Sequence, residues 1–282
     1  MNTAVSVDGP ADLRPWFAEV QAVLSRFDQE SPLSQLNQKP ERWVVVPELL
    51  FRAVGAALQA AAATDGAFDP TVLDAVEAAG YTRSFELGPG PVTARPQGGT
   101  GRWREVRLDR HMQAIWLPRG VRLDLGGIGK GLAVDGGLAR LRGARRALVN
   151  AGGDLALRTA PGEPPYLIDV EDPTEPERTQ ATFGLRRGAA ATSSVTGRRW
   201  GDGLHHIIDP ATGRPTRSGL IQATVFGPGA AFAEVLAKAA IVLGEARGLE
   251  LIRRHRAHAL LVRADGTVIM TEGLEEYRHG AA

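Results

Sequence analysis

The sequence predicts an α+β fold: a single domain over residues 1–282 in which mixed sheets carry flanking helices. Three observations lead there. Long segments with apolar residues at helical spacing alternate irregularly with short apolar runs of strand length, which disfavours the regular βαβ order of a doubly wound sheet. The 282 residues are 43% hydrophobic, enough for a sizeable core. The 34 glycines and 18 prolines follow no fixed period, which points to a loop-rich globular chain without internal repeats.

The elements follow in chain order. Thr3 to Val7 reads as a short strand, and Ala11 to Arg26 as an amphipathic helix with Leu13, Phe17, Val20, Val23 and Leu24 on one face. A second helix spans Pro47 to Thr64 and stops at Asp65-Gly66. Asp69-Pro70 opens a short helix to Ala79, ended by Gly80. From 88 to 101 the chain is rich in proline and glycine and reads as a surface excursion. Strands follow at Val106 to Leu108, Ala114 to Leu117 and Arg122 to Leu125, with a hairpin turn at Pro118-Arg119-Gly120. Leu132 to Arg142 is a helix, and Ala147 to Asn150 a buried strand. Strands are expected at Tyr166 to Val170, Thr182 to Leu185 and Ala189 to Ser193, then a loop at 197–219. Ile221 to Phe226 is a strand and Ala230 to Leu243 a helix. Leu249 to Arg256, Ala257 to Val262 and Val268 to Met270 complete the chain as helix, strand, strand.

Composition excludes several chemistries. With no cysteine, a disulfide scaffold, a thiolate nucleophile and any zinc or iron–sulfur site built on thiolate sulfur are excluded. A balance of 33 basic against 32 acidic residues argues against a general nucleic-acid binder. Only Lys39, Lys130 and Lys238 are lysine; the other basic residues are arginine. No window approaches the uninterrupted apolar length of a membrane span. The opening MNTAVSVDGPADLRPWF is broken by Asp8, Pro10, Asp12 and Arg14, so no export signal is read and a cytoplasmic location is expected.

The strongest local motif is DLGGIGKGLAVD, 124–135, where a strand gives way to a glycine cluster and a helix. Glycines let backbone approach a ligand, and helix N-terminal amides attract phosphate. The spacing fits neither a Walker loop nor a dinucleotide fingerprint, so a plain tight turn is an equal reading of the glycines; Lys130 tips the balance towards phosphate. NAGGD, 150–154, and GAFDPTV, 66–72, are equally compatible with ordinary turns. In LHHIIDPATGRPT, 204–216, two adjacent histidines in a strand face opposite sides, so at most one serves a given site. Glu234 and Lys238 sit four apart on one helix face, and a simple surface ion pair explains them equally well.

Taken in order, LSRFDQESPLSQLN, GAFDPTV, DLGGIGKGLAVD, NAGGD, ATSSVTGRRW, HHIIDPATGRP and ATVFGPGAAFAEVLAKAAIVLG resemble the ApbE family, the FAD:protein FMN transferases. The resemblance implies a T-fold-related domain that binds FAD with Mg²⁺. It also implies cleavage of the FAD pyrophosphate, transfer of FMN to a Thr or Ser hydroxyl of a target protein, and release of AMP. By position it places Met1 near the flavin, Phe27 as a stacking aromatic, and Ala67, Phe68 and Asp69 on the adenine side. Asp124 and Lys130 match FAD-contacting positions, and the carbonyl of Gly127 a backbone metal ligand. Thr192, Ser193, His206, Ile208 and Asp209 match walls near the flavin and phosphates, with His206 as general base for the acceptor hydroxyl.

One departure stands out. Where the family helix carries Asp and, four residues on, Thr as metal ligands, this chain has Glu234 and Lys238, with Ala237 at a position often held by a second Asp. Glutamate can ligate Mg²⁺, whereas a protonated lysine offers no lone pair. The expectation is that FAD binding is retained and that Lys238 supplies the charge a metal would bring. The competing readings are a non-catalytic FAD-binding protein and an FAD pyrophosphatase yielding FMN and AMP.

Overall fold

The structure is a computed structural model that describes residues 3–93, 101–175 and 177–279. Met1 and half of the proline- and glycine-rich excursion, 94–100, lie outside the described residues. Two compact units emerge, one from Arg14–Gly129 with Arg198–Thr216, the other from Thr3–Leu13, Lys130–Gly197 and the chain from Arg217 onward.

Four helices build the first unit. Helix α1 (Arg14–Leu24) buries Phe17 and Val20. The short α2 (Pro32–Asn37) is set by its start: the Ser34 amide donates to Ser31 Oγ at 3.0 Å, with Pro32 in the first turn. Helix α3 (Glu48–Ala63) buries Leu50, Ala53, Val54, Ala57, Ala60 and Ala61 at the spacing expected of one face. It ends where Asp65 and Gly66 turn left-handed, at φ 52° and 82°. Helix α4 spans Leu73–Ala78 and is followed by Gly80 at φ 102°. It begins later than Asp69-Pro70 because Asp69 Oδ1 accepts from the Thr71 amide at 2.8 Å and hydroxyl at 2.6 Å, forming a local turn first.

A three-stranded antiparallel sheet places Ala114–Trp116 between Trp43–Val45 and Arg107–Asp109. The expected hairpin about Pro118–Gly120 does not form. Residues 122–125 instead satisfy their backbone elsewhere: Leu123 exchanges two bonds with the Asn37 side-chain amide at 2.7 and 2.9 Å, and the Asp124 amide donates to the Pro70 carbonyl at 2.8 Å. A side-chain amide can mimic a strand partner, so the extended segment never needs one. The loop expected at 197–219 contains two short antiparallel pairs, Arg199–Trp200 with Leu204–His205 and Ile208–Asp209 with Arg214–Pro215.

The second unit is organised on a seven-stranded antiparallel sheet. Its spatial order is Val5–Asp8, Arg146–Ala151, Asp154–Thr159, Arg187–Ser194, Leu220–Gly227, His258–Arg263 and Val268–Met270. The strands follow one another in chain order, skipping the strands of the first unit and a separate hairpin of Tyr166–Glu171 and Thr179–Leu185. The hairpin packs Ile168, Val170 and Phe183 against Leu155, Leu157, Phe226 and Leu260, with Phe183 and Phe226 meeting edge to face at 4.9 Å. Helices α5 (Gly129–Arg140), α6 (Ala230–Leu243) and α7 (Glu245–Arg254) complete this unit. Helix α6 is apolar nearly all round, and it packs against the strands Arg187–Ser194 and Leu220–Gly227 and against α7. Among the described residues no helix is long and apolar enough to cross a membrane.

Candidate functional site

In the second unit, a group of charged side chains is built where α5 and α6 cross. A Cβ at Gly131 would lie 2.4 Å from the Ala231 Cα, so only glycine allows the two backbones this close. The close approach brings the Gly131 amide to Glu234 Oε2 at 2.9 Å, and the Glu234 side chain is 1% exposed. In return, Asp135 of α5 accepts from the Ala230 and Ala231 amides at 2.8 and 3.0 Å, capping the start of α6. Burial pushes the Asp135 carboxyl above its usual range, against the pull of those amides.

The second Glu234 oxygen faces lysine. Oε1 lies 3.8 Å from Lys130 Nζ and 4.0 Å from Lys238 Nζ, and accepts no hydrogen bond. Lys130 also pairs directly with Asp154, whose side chain is wholly buried at the start of its strand. Burial, reinforced by the Glu234 charge and opposed by the two lysines, pushes the Asp154 carboxyl up to about 7. Two carboxylates and two ammonium groups thus share one enclosed site. Lys130 and Lys238 keep 20% and 18% of their side chains exposed, so both remain within reach of a ligand.

This donor set does not fit Mg²⁺. Glu234 Oε2 is committed to the Gly131 amide, and Oε1 is already bracketed by two cations. A dication at Oε1 would share that oxygen with ammonium groups 3.8 and 4.0 Å from it, and like charges crowded so closely repel by several kcal/mol even at a surface-like dielectric. Lys238 offers no lone pair in compensation. Gly127, the expected backbone ligand, lies in the turn after Asp124, within the first unit.

The second unit also holds Thr192 and Ser193. As neighbours on a strand they face opposite sides of the sheet: Thr192 Oγ1 meets Thr224 Oγ1 at 2.9 Å, while Ser193 is buried. At most one of them therefore lines a given site.

The first unit carries a different group. Arg26, with only 6% of its side chain exposed, stacks over Phe27 at 4.2 Å and Tyr81 at 4.7 Å, and donates to the Tyr81 carbonyl at 2.8 Å. Its Nε lies 3.6 Å from Asp124 Oδ2, and Asp124 Oδ1 accepts from the Gly126 amide at 2.8 Å. Tyr81 also meets Trp200 at 5.9 Å and His206 at 6.4 Å, with Arg198 above it at 5.9 Å. Burial raises the Tyr81 phenol, against the Arg198 and Arg26 charges. Phe27 is 40% exposed, so part of its ring is accessible to a planar ligand.

The two adjacent histidines diverge. His205 is buried and its Nε2 lies 3.0 Å from the Thr216 carbonyl, whereas the half-buried His206 packs edge-on to Tyr81. Ile208 is buried, and Asp209 Oδ1 accepts from the Ala211 amide at 2.9 Å. Ala67, Phe68 and Asp69 are all buried, and Asp69 uses both oxygens internally, Oδ2 accepting from the Gly101 amide.

Sequence reasoning missed Arg26, Tyr81, Arg198 and the role of Asp154. Arginines are too numerous here for one to stand out, and Asp154 reads as a turn cap. The signal for Glu234 was present: a carboxylate in a helix apolar nearly all round must be buried and partnered.

The ApbE family model matches residues 1–261. The FAD:protein FMN transferase of Escherichia coli K12 is 31% identical over 267 residues, covering 88% of this chain and 75% of the relative. The crystal structure of the ApbE protein of Thermotoga maritima superimposes with a TM-score of 0.85 at 30% identity, covering 98% of this chain and 96% of that one. For the flavinyl transferase ApbE of Pseudomonas stutzeri the TM-score is 0.81 at 24% identity, covering 97% and 92%, a likeness of fold. With the α+β architecture and the motifs in register, the chain belongs to the ApbE family.

Proposed function

We propose that this protein is an FAD:protein FMN transferase, with FAD as substrate and a Thr or Ser hydroxyl of a protein as acceptor. The observation that carries this reading is the 31% identity to an enzyme of that name across 88% of the chain. The acceptor hydroxyl attacks the phosphorus on the riboflavin side of the pyrophosphate. A P–O bond to the acceptor forms, the bond to the bridging oxygen breaks, and AMP leaves with that oxygen and its electron pair. Such a transfer depends mostly on positioning and on neutralising phosphate charge.

In this reading Lys130 and Lys238 supply positive charge to the pyrophosphate. Phe27, with Arg26 and Tyr81 behind it, offers a stacking surface for a ring of FAD. Asp124, held by Arg26, contacts FAD, and Ala67, Phe68 and Asp69 shape the adenine side as packed backbone and apolar surface, since the Asp69 oxygens are engaged. Thr192 or Ser193, Ile208 and Asp209 form walls near the phosphates. His206 takes the hydroxyl proton. The Mg²⁺ usual for the family has no suitable ligands at Glu234 and Lys238.

The test is incubation with FAD and an acceptor protein carrying a target threonine. Mass gain of the acceptor by one FMN with stoichiometric AMP establishes transfer. AMP release without acceptor modification would replace transfer by pyrophosphate hydrolysis. Unchanged transfer by a His206→Ala variant would remove His206 as the base.

A further inference from the structure

Glu234 has been drawn out of any metal-binding role by the protein itself. One of its oxygens is fixed by the Gly131 amide at 2.9 Å and the other lies between Lys130 and Lys238 at 3.8 and 4.0 Å. We propose that Lys238 is a built-in replacement for the divalent cation, so that the protein binds the FAD pyrophosphate without metal, through the Lys238 and Lys130 ammonium groups. This deepens the transferase reading and rests on it.

The geometry suits that task. Lys238 is one helical turn from Glu234 on α6, and 4.0 Å is an ion-pair distance that holds the ammonium beside the carboxylate. Its 18% exposure leaves the head group approachable. Lysine is the appropriate choice for this role: a compact point charge with three donors that can follow a phosphate oxygen as the pyrophosphate bond lengthens. Asp154 and Glu234 are positioning residues, acting through the lysines. Asp154 pairs with Lys130 from full burial, and Glu234 takes its orientation from α5. In a chain with three lysines, two of them converge on this carboxylate.

The deciding experiment measures FAD binding by flavin fluorescence and AMP release with an acceptor, in excess chelator and in millimolar Mg²⁺. FAD affinity and AMP release are expected to agree within about twofold between the two buffers. In Mn²⁺ titrations followed by electron paramagnetic resonance, the protein without nucleotide is expected to show no stoichiometric site. Lys238→Met should weaken FAD binding at least about tenfold, while Lys238→Arg, which keeps the charge, should stay within about threefold. Circular dichroism and thermal melting of both variants separate loss of charge from loss of fold. The double change Glu234→Asp with Lys238→Thr should make FAD binding chelator-sensitive.

FAD binding or AMP release that requires Mg²⁺ in the unmodified protein, or stoichiometric Mn²⁺ binding, would overturn the proposal and leave the transferase reading standing. A folded Lys238→Met variant that binds FAD normally would also overturn it. FAD bound equally in both buffers with no AMP released would support the cation assignment and sink the transferase reading. No FAD binding in either buffer would overturn both.

Discussion

Each of the two units gathers a pair of cations beside its candidate site residues, and they do so with different residue types. In the first, Arg26 and Arg198 lie over aromatic rings, and the planar guanidinium is useful because it stacks and hydrogen-bonds at once. In the second, Lys130 and Lys238 face the carboxylates of Asp154 and Glu234, and the ammonium is useful as a compact point charge. The arginine cluster is braced by rings and opens on the exposed Phe27 ring. The lysine cluster is braced by buried acids. Stacking tolerates loss of a member, whereas a buried ion group does not, because an unpaired charge is left behind. The scarcity of lysine thereby becomes meaningful: lysine sits where a stacking group has no use.

That contrast can be broken in graded steps. The largest effect is expected for Asp154→Ala, which removes the fully buried partner of Lys130 and leaves it only the longer contact to Glu234; a loss of about 3–5 kcal/mol in urea unfolding is predicted, and a loss under 1 kcal/mol would show the pair to be hydrated and dispensable. Gly131→Ala comes next. Its methyl group would meet the Ala231 backbone, and separating α5 from α6 should cost about 1–3 kcal/mol and release Glu234. Arg26→Ala, in the other cluster, removes stacking on two rings and the contact to Asp124, for about 1–2 kcal/mol, with weaker flavin binding by fluorescence titration. Arg26→Lys should restore little of it, whereas Lys238→Arg restores most at the other site. The smallest effect is that of Arg52→Ala, which breaks an exposed i,i+4 pair with Glu48 and should shift stability by no more than about 0.5 kcal/mol.

A pH series sharpens the same comparison. Asp154 is held up to about 7 in the folded protein, above its unfolded value of 3.8. Between those limits the folded state binds a proton that the unfolded chain has released. Its contribution to stability is therefore full below about pH 4 and is lost as pH rises through about 7. Denaturant midpoints of the unmodified protein and Asp154→Asn measured from pH 4 to 8 should diverge in slope over that window. Parallel slopes would remove Asp154 as the titrating group.

Much of the architecture is legible in the chain. Ala230–Leu243 and Val268–Met270 occur at the boundaries their apolar patterns dictate. Pro47 starts α3 and the left-handed pair Asp65-Gly66 ends it, as turn chemistry requires. The mistaken hairpin at 118–120 shows where local reading stops: Leu123 is extended, but its partner is a side chain 86 residues away. A strand pattern specifies extended backbone and cannot say what completes its hydrogen bonds.

The candidate site divides the same way. The order of its motifs places the chain in its family, and the residue types at 234 and 238 already distinguish it from a two-oxygen metal pair. Sequence spacing alone leaves Glu234 and Lys238 as an ordinary surface couple. Tertiary structure decides otherwise, because the missing side chain of Gly131 lets two helices touch and turns the Glu234 carboxylate inward against an amide 103 residues distant. Periodicity fixes which face a residue occupies. Only the approach of a second element determines whether a charge on that face meets water, a metal or two lysines.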